Sequence, residues 1–177
     1  VADEIARVLP TIRSRCRLIR AGAPTREQAL EWLKSQGVQD AERKLTEAGG
    51  MPLAVFDEDA RFRLADETRE RFLAYLRLGH AAPPAQALSV ADKDVTLSAA
   101  ALFLSRWGWD LASAKVGCEP QYFPEFAEEI KTIAQAANPT GLYTWINSVR
   151  DIRRVSEHPL NAKTMIEALL ISYARNI

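Results

Sequence analysis

Hydrophobic residues recur at every third or fourth position along most of the chain, which is the spacing of an amphipathic helix. The longest such stripe falls in residues 95–115, and its apolar face comprises Leu97, Ala101, Leu104, Gly108 and Leu111. A second stripe follows a proline and comprises Phe126, Ile130, Ile133 and Ala137. A third comprises Leu142, Trp145, Ile146, Val149 and Ile152. The pattern predicts an all-α fold whose core is formed by these stripes.

The last helix of this larger unit has the clearest start signal. Asn161 is a favourable N-cap residue, and Leu160 and Met165 are spaced for a hydrophobic staple. Two tryptophans earlier in the unit, Trp107 and Trp109, are too bulky to be left wholly exposed. We expect each of them to lie in the core or at an interface with another subunit.

A smaller helical unit precedes the larger one. Thr25, with Gln28 three residues later, predicts a capping box at the start of its first helix, and Gly37 suits the end of that helix. Asp40 is predicted to cap a second helix, which ends at a Gly-Gly pair. Pro52 is well placed for the first turn of a third helix.

The first twenty residues depart from the helical pattern. Pro10 disfavours the helical conformation at Leu9 and predicts a turn there. Residues 16–20 are predicted to form a short strand, the last of a parallel sheet whose other strands are absent from this chain. Three closely spaced arginines, Arg13, Arg15 and Arg17, lie in this stretch. A guanidinium is always charged and offers five donors in a rigid fork, so the stretch is suited to present a cation to a phosphate.

Composition narrows the class of protein. The chain has 177 residues, 47% of them hydrophobic and 26% charged, with a formal net charge of zero, so no global field attracts nucleic acid or an anionic membrane. No apolar run approaches the roughly 20 residues that span a bilayer. Cys16 and Cys118 lie far apart and the two histidines form no cluster with them, so no zinc site is predicted and a reducing, cytoplasmic setting is expected.

The residues around the arginines resemble a known signature. Residues 9–16 read Leu-Pro-Thr-Ile-Arg-Ser-Arg-Cys, which is similar to the Ser-Arg-Cys motif of clamp-loader ATPase subunits of the AAA+ class. In that family the motif arginine acts on ATP bound by the neighbouring subunit. The resemblance implies that Arg15 is a trans-acting arginine finger, flanked by Ser14 and Cys16. The alternative from the residues alone is a solvated basic strand edge.

A second stretch carries the same resemblance. The C-terminal end is similar to the closing helix of bacterial clamp-loader subunits of the delta-prime type, through His158, Pro159, Leu160, Asn161, Ile166, Glu167, Leu169 and Leu170. The middle of the chain fits that family in order, through Trp107, Asp110, Leu111, Gly117, Tyr122, Phe123 and Pro124. The resemblance implies the tail of an ATPase core in residues 1–20, a helical lid in 21–66 and a helical collar that oligomerises in 67–177.

Pro52 distinguishes between types of subunit within that family. Subunits that hydrolyse ATP usually carry an arginine here, which contacts their own nucleotide, and a proline side chain cannot donate to a phosphate. No Gly-x-x-x-x-Gly-Lys-[Ser/Thr] loop occurs in the sequence. We therefore expect a C-terminal fragment of a non-hydrolysing subunit, which is not itself an enzyme and binds no cofactor, while ATP and Mg²⁺ lie on the neighbouring subunit.

The partners implied by the resemblance are the other clamp-loader subunits, of the gamma/tau and delta types. Through the assembly they include the sliding clamp and primer-template DNA, with no membrane. Two alternatives remain open. One is the gamma/tau motor subunit of the same machine, against which Pro52 counts. The other is a free-standing helical adaptor in which the N-terminal arginines form a weak nucleic-acid-binding arm.

Overall fold

The structure is a computed structural model, and it describes residues 8–17, 19, 22–56, 64–90, 95–156 and 161–177. Throughout these ranges the regular secondary structure is helical and no strand occurs, which confirms the predicted all-α class. Within the same ranges, no helix is both long and apolar enough to cross a membrane. The helices divide between a small bundle near the N-terminal end and a large bundle that follows it.

The small bundle contains α2, Arg26–Ser35, and α3, Ala41–Glu47. The predicted capping box is present, because Thr25 accepts from the backbone of Gln28 and the Gln28 side chain accepts from the backbone of Thr25. α2 ends where predicted, with Gly37 at a φ of +74°, a conformation that glycine adopts at little cost. The apolar faces of the two helices pack on each other through Ala29, Leu33, Ala41 and Leu45.

Asp40 differs from its prediction. It occupies the N-cap position of α3, but its backbone is left-handed, with φ +52° and ψ +40°, and its side chain makes no capping hydrogen bond. An N-cap residue normally has extended backbone, which aims its carboxylate at the first N–H groups. Here the carboxylate instead lies 3.6 Å from the guanidinium of Arg43.

The third helix of the small bundle is shorter than predicted. Pro52 leads into a single 3-10 turn, Leu53–Val55, with Phe56 as its last flanking residue. Phe56 packs edge-on against Trp32 of α2, with ring centroids 5.5 Å apart. The turn therefore lies along the outside of the small bundle, and the acidic and basic residues 57–63 lie outside the described part of the chain.

The large bundle is formed by six helices: α4, Asp66–Leu76, α5, Ala87–Val90, α6, Leu97–Lys115, α7, Ala127–Ala136, α8, Pro139–Val155, and α9, Ala162–Asn176. The connections contain the 3-10 turns Gly79–Ala81, Pro84–Gln86 and Pro124–Phe126. α6 is central and packs on α7, α8 and α9. The stripes predicted for α6, α7 and α8 face this core, which contains Trp107 and Trp145 as fully buried side chains.

One buried hydroxyl ties three helices of the large bundle together. Tyr173 of α9 donates to the carbonyl of Leu76 at the end of α4, with an O–O distance of 2.6 Å, and accepts from the indole nitrogen of Trp107 in α6 at 3.3 Å. Burial raises the pKa of Tyr173, so the hydroxyl stays protonated and able to donate.

The predicted start of α9 is confirmed, because the Asn161 side chain accepts from the backbone N–H of Thr164. Leu160, the other half of the predicted hydrophobic staple, is outside the described residues.

The N-terminal segment corrects the sequence prediction in two respects. Pro10–Arg13 forms a short helix, α1, within the stretch that was expected to be non-helical. Leu9 is extended as predicted, with φ −54° and ψ 138°, and Pro10 is the first helical residue, a position where proline's fixed φ suits a helix. Of the predicted strand 16–20, the described residues Cys16, Arg17 and Ile19 are not in a strand. A strand needs a neighbour to pair with, and the described residues supply none.

Candidate functional site

The arginine turn, residues 9–17, contains Arg15, the residue that the sequence resemblance singles out. α1 ends at Ser14, whose hydroxyl donates to the carbonyl of Thr11 at 3.1 Å. The backbone N–H of Arg15 donates to the carbonyl of Ile12 at 3.0 Å, which closes the turn immediately before the arginine side chain. Cys16 follows as an exposed free thiol. Ser14 therefore helps to shape the turn, and Arg15 projects from a locally hydrogen-bonded backbone.

The three arginines of this turn are exposed. Arg13, Arg15 and Arg17 form no ion pair with any residue that the structure describes. By contrast, Arg77 of the large bundle lies 2.8 Å from Glu129, and several other arginines are paired in the same way. Three unneutralised guanidinium groups within five residues form a local positive site on a chain of zero formal net charge. Such groups bind phosphate through paired N–H donors.

The described residues of the turn form no metal site. In the portion of the chain that the structure covers, no group of three His, Cys, Asp or Glu side chains is placed to hold a metal ion. The Ser14 hydroxyl donates to a backbone carbonyl, and no hydrogen bond from it to a basic side chain occurs among the described residues. The arrangement suits a cation that acts on an anion bound elsewhere.

Pro52 lies away from this turn, on the small bundle. It is half-buried at the N-terminal end of the 3-10 turn, with φ −66° and ψ −32°. Proline has no backbone N–H and no polar side-chain atom, so this position offers no hydrogen-bond donor to a phosphate.

A cleft of about 590 Å³ separates the small bundle from the large one. It is lined by Arg26, Asp40, Glu42, Arg43, Thr46, Glu47, Arg69, Tyr122, Pro124 and Glu125. Its three arginines are all paired with carboxylates of the same cleft: Arg26 with Glu42, Arg43 with Asp40 and Glu47, and Arg69 with Glu47 and Glu125. Each of the three arginines is therefore neutralised by a carboxylate of the cleft, so the cleft presents no unpaired guanidinium to a ligand.

Sequence reasoning missed the structural role of Asp110. This side chain is fully buried in the middle of α6, and its carboxylate accepts from the backbone N–H groups of Gln121, Tyr122 and Phe123 at 2.8, 2.9 and 2.8 Å. Burial raises the pKa of Asp110 above its ordinary range, while the three donors act to lower it. An acidic residue between the core residues Trp107 and Leu111 was the available signal, because a buried carboxylate requires partners.

Comparison of the chain with models of protein families, with curated proteins and with solved structures gave no match in any of the three. Among the described residues, the arginine turn brings together three exposed arginines within five positions.

Proposed function

We propose that this chain is the helical part of a non-hydrolysing clamp-loader subunit, the delta-prime subunit of bacterial DNA polymerase III. In this proposal the small bundle corresponds to the lid and the large bundle to the collar that joins the other subunits. Arg15 extends toward ATP on the adjacent subunit of the ring. The subunit contributes a side chain to a neighbour's reaction and hydrolyses no ATP itself.

The observation that supports this most directly is that the arginines of the turn are exposed and form no ion pair with any residue that the structure describes. A guanidinium without an internal carboxylate partner is free to bind an external phosphate. As charge develops on the transferred phosphoryl group, a positioned arginine stabilises it, an effect of about 10³ to 10⁵ in rate for well-characterised NTPases. Pro52 supports the non-hydrolysing type, because it cannot supply a donor to a nucleotide on its own subunit.

The test replaces Arg15 in the intact subunit and reassembles it with gamma/tau and delta subunits. Arg15→Ala is expected to lower DNA-stimulated ATP turnover while the complex still elutes as one species in gel filtration. Arg13→Ala is the matched control, since Arg13 lies on the same turn with the same exposure but outside the Ser-Arg-Cys triplet. Unchanged turnover with Arg15→Ala, or an equal loss with Arg13→Ala, would refute the finger role.

The same arginines favour a second candidate, a helical adaptor with a nucleic-acid-binding arm. Neutralising phosphates releases counterions, so binding through the arm would weaken steeply as salt is raised. Titration of the chain with single-stranded and duplex DNA at several salt concentrations distinguishes the two. Tight, salt-dependent binding of the isolated chain that all three arginines share equally would favour the adaptor. Co-elution with gamma/tau and delta, without such binding, would favour the clamp-loader subunit.

A further inference from the structure

A glycine on the small bundle and a loop of the large bundle meet in an unusually close contact. Gly49 follows α3 with a φ of +64°, and its carbonyl accepts from the side-chain amide of Gln121 at 2.8 Å. The ring of Tyr122 lies directly over it. A Cβ atom at Gly49 would lie 2.7 Å from Cε1 of Tyr122 and 2.9 Å from its hydroxyl oxygen, distances that real Cβ atoms do not show. The left-handed backbone favours glycine, and a side chain at this position would require the end of the Tyr122 ring to move.

The loop that makes this contact is anchored from inside the large bundle. The carboxylate of Asp110 binds the backbone N–H groups of Gln121 and Tyr122, so the backbone that presents both side chains is held by a fully buried group. Arg106, on the same helix as Asp110, places its guanidinium 5.7 Å from the centre of the Tyr122 ring. The contact surface is therefore prearranged by α6, independently of the small bundle.

Among the described residues, two long ion pairs also join the bundles. Arg43 lies 3.9 Å from Asp66, and Arg69 lies 3.8 Å from Glu47. The carboxylate of the first pair is almost fully exposed, and exposed ion pairs of this length contribute little to stability. The apolar cluster of the small bundle shares no residue with that of the large bundle, and the cleft opens between them.

We propose that Gly49, Gln121 and Tyr122 form a latch that fixes the orientation of the small bundle on the large one. Opening the latch lets the small bundle swing about the cleft while each bundle keeps its own fold. In the large bundle, the loop that carries Gln121 and Tyr122 stays bound to Asp110. In the small bundle, α2 stays packed on α3. This orientation is independent of the proposed function.

Distances between spin labels on the two bundles test the latch. The labels are attached at Lys34→Cys on α2 and Ala168→Cys on α9, both exposed positions, in a chain carrying Cys16→Ser and Cys118→Ser. With the latch intact, we expect one narrow distance distribution. Gly49→Ala is expected to give a longer mean distance and a broader distribution, because the added Cβ meets the Tyr122 ring.

Gly50→Ala is the matched control for backbone strain. Gly50 has a φ of +79°, similar to that of Gly49, but a Cβ there would meet only the Gln121 side-chain nitrogen, at 4.0 Å. Backbone strain alone would change the distance distribution in both variants, whereas loss of the latch would change it only in Gly49→Ala. An equal shift in both variants, or no shift in either, would overturn the proposal.

A second variant opens the latch without touching the glycine. Gln121→Ala combined with Tyr122→Ala removes the hydrogen bond and the ring while leaving the backbone groups that bind Asp110. We expect the same broadened distance distribution, with amide-exchange protection in α2 and α3 retained. A narrow, unchanged distribution in this double variant, or the loss of protection throughout α2 and α3, would show that the contact is not a latch between two independently folded bundles.

Discussion

The buried side chain of Asp110 fixes the backbone of a loop that lies 11 to 13 positions further along the chain. Its carboxylate is removed from solvent, and three backbone N–H groups of the loop between α6 and α7 donate to it. An ionised group in an apolar core is unfavourable unless it is hydrogen-bonded, and here each donor would in turn lose its partner without the carboxylate. Asp110 therefore holds both itself and the loop in place.

Replacing Asp110 is expected to destabilise the protein strongly. Asp110→Ala leaves three backbone donors without an acceptor, and we expect the free energy of unfolding to fall by about 3 kcal/mol. Asp151→Ala is the control: Asp151 lies on the surface of α8 between Arg150 and Arg154, and its loss should cost less than about 1 kcal/mol. Urea denaturation followed by circular dichroism measures both values, and similar losses would contradict the anchoring role.

Helix ends were predictable because their signals are local. The caps at Thr25 and Asn161 form as expected, and Asn138, which the sequence analysis did not single out, caps α8 in the same way. Asp40 fails to cap because its backbone is left-handed, which the sequence pattern does not reveal. The spacing of hydrophobic residues also does not reveal how closely two helices pack. Gly141 in α8 is an example.

Gly141 lies in α8 where the end of α9 crosses it. In an isolated helix, Gly141→Ala would stabilise by about 1 kcal/mol, because alanine has the higher helix propensity. Here an added Cβ would run into the backbone carbonyl oxygen of Asn176, and backbone cannot move aside cheaply. We therefore expect Gly141→Ala to lower the free energy of unfolding by about 1 to 3 kcal/mol.

Ala168→Gly provides the reference for that measurement. Ala168 is exposed in the middle of α9, so its replacement reports the propensity difference alone, a loss of about 1 kcal/mol. Thermal and urea unfolding of both variants give the comparison. A gain in stability for Gly141→Ala would mean that α8 and α9 do not pack as closely as described.

The whole molecule is divided into two very unequal cores. Four residues form the buried cluster of the small bundle: Ala29, Leu33, Ala41 and Leu45. The cluster of the large bundle extends from α4 to the end of α9 and includes both buried tryptophans. Buried apolar area is the main source of stability, so the two bundles cannot be equally resistant to opening.

Amide hydrogen exchange should reveal this difference. We expect the amides of α2 and α3 to exchange with a lower free energy of opening than those in the middle of α6, α8 and α9, since so little apolar surface holds them. Exchange measured by mass spectrometry or NMR under native conditions gives both values. Uniform protection across the chain would indicate that the two bundles open only together, which would also count against the proposed latch.

The sequence by itself determined the helical class, the apolar stripes and the starts of α2 and α9, because these depend on residues three or four positions apart. Tertiary structure decided what depends on distant neighbours. The same helix buries Trp107 completely and leaves Trp109 58% exposed. Pro10, predicted to mark a turn, begins α1. Gly49 meets a side chain 72 positions further along. Contacts between residues so far apart in sequence depend on how whole helices pack together, so a pattern of neighbouring residues does not predict them.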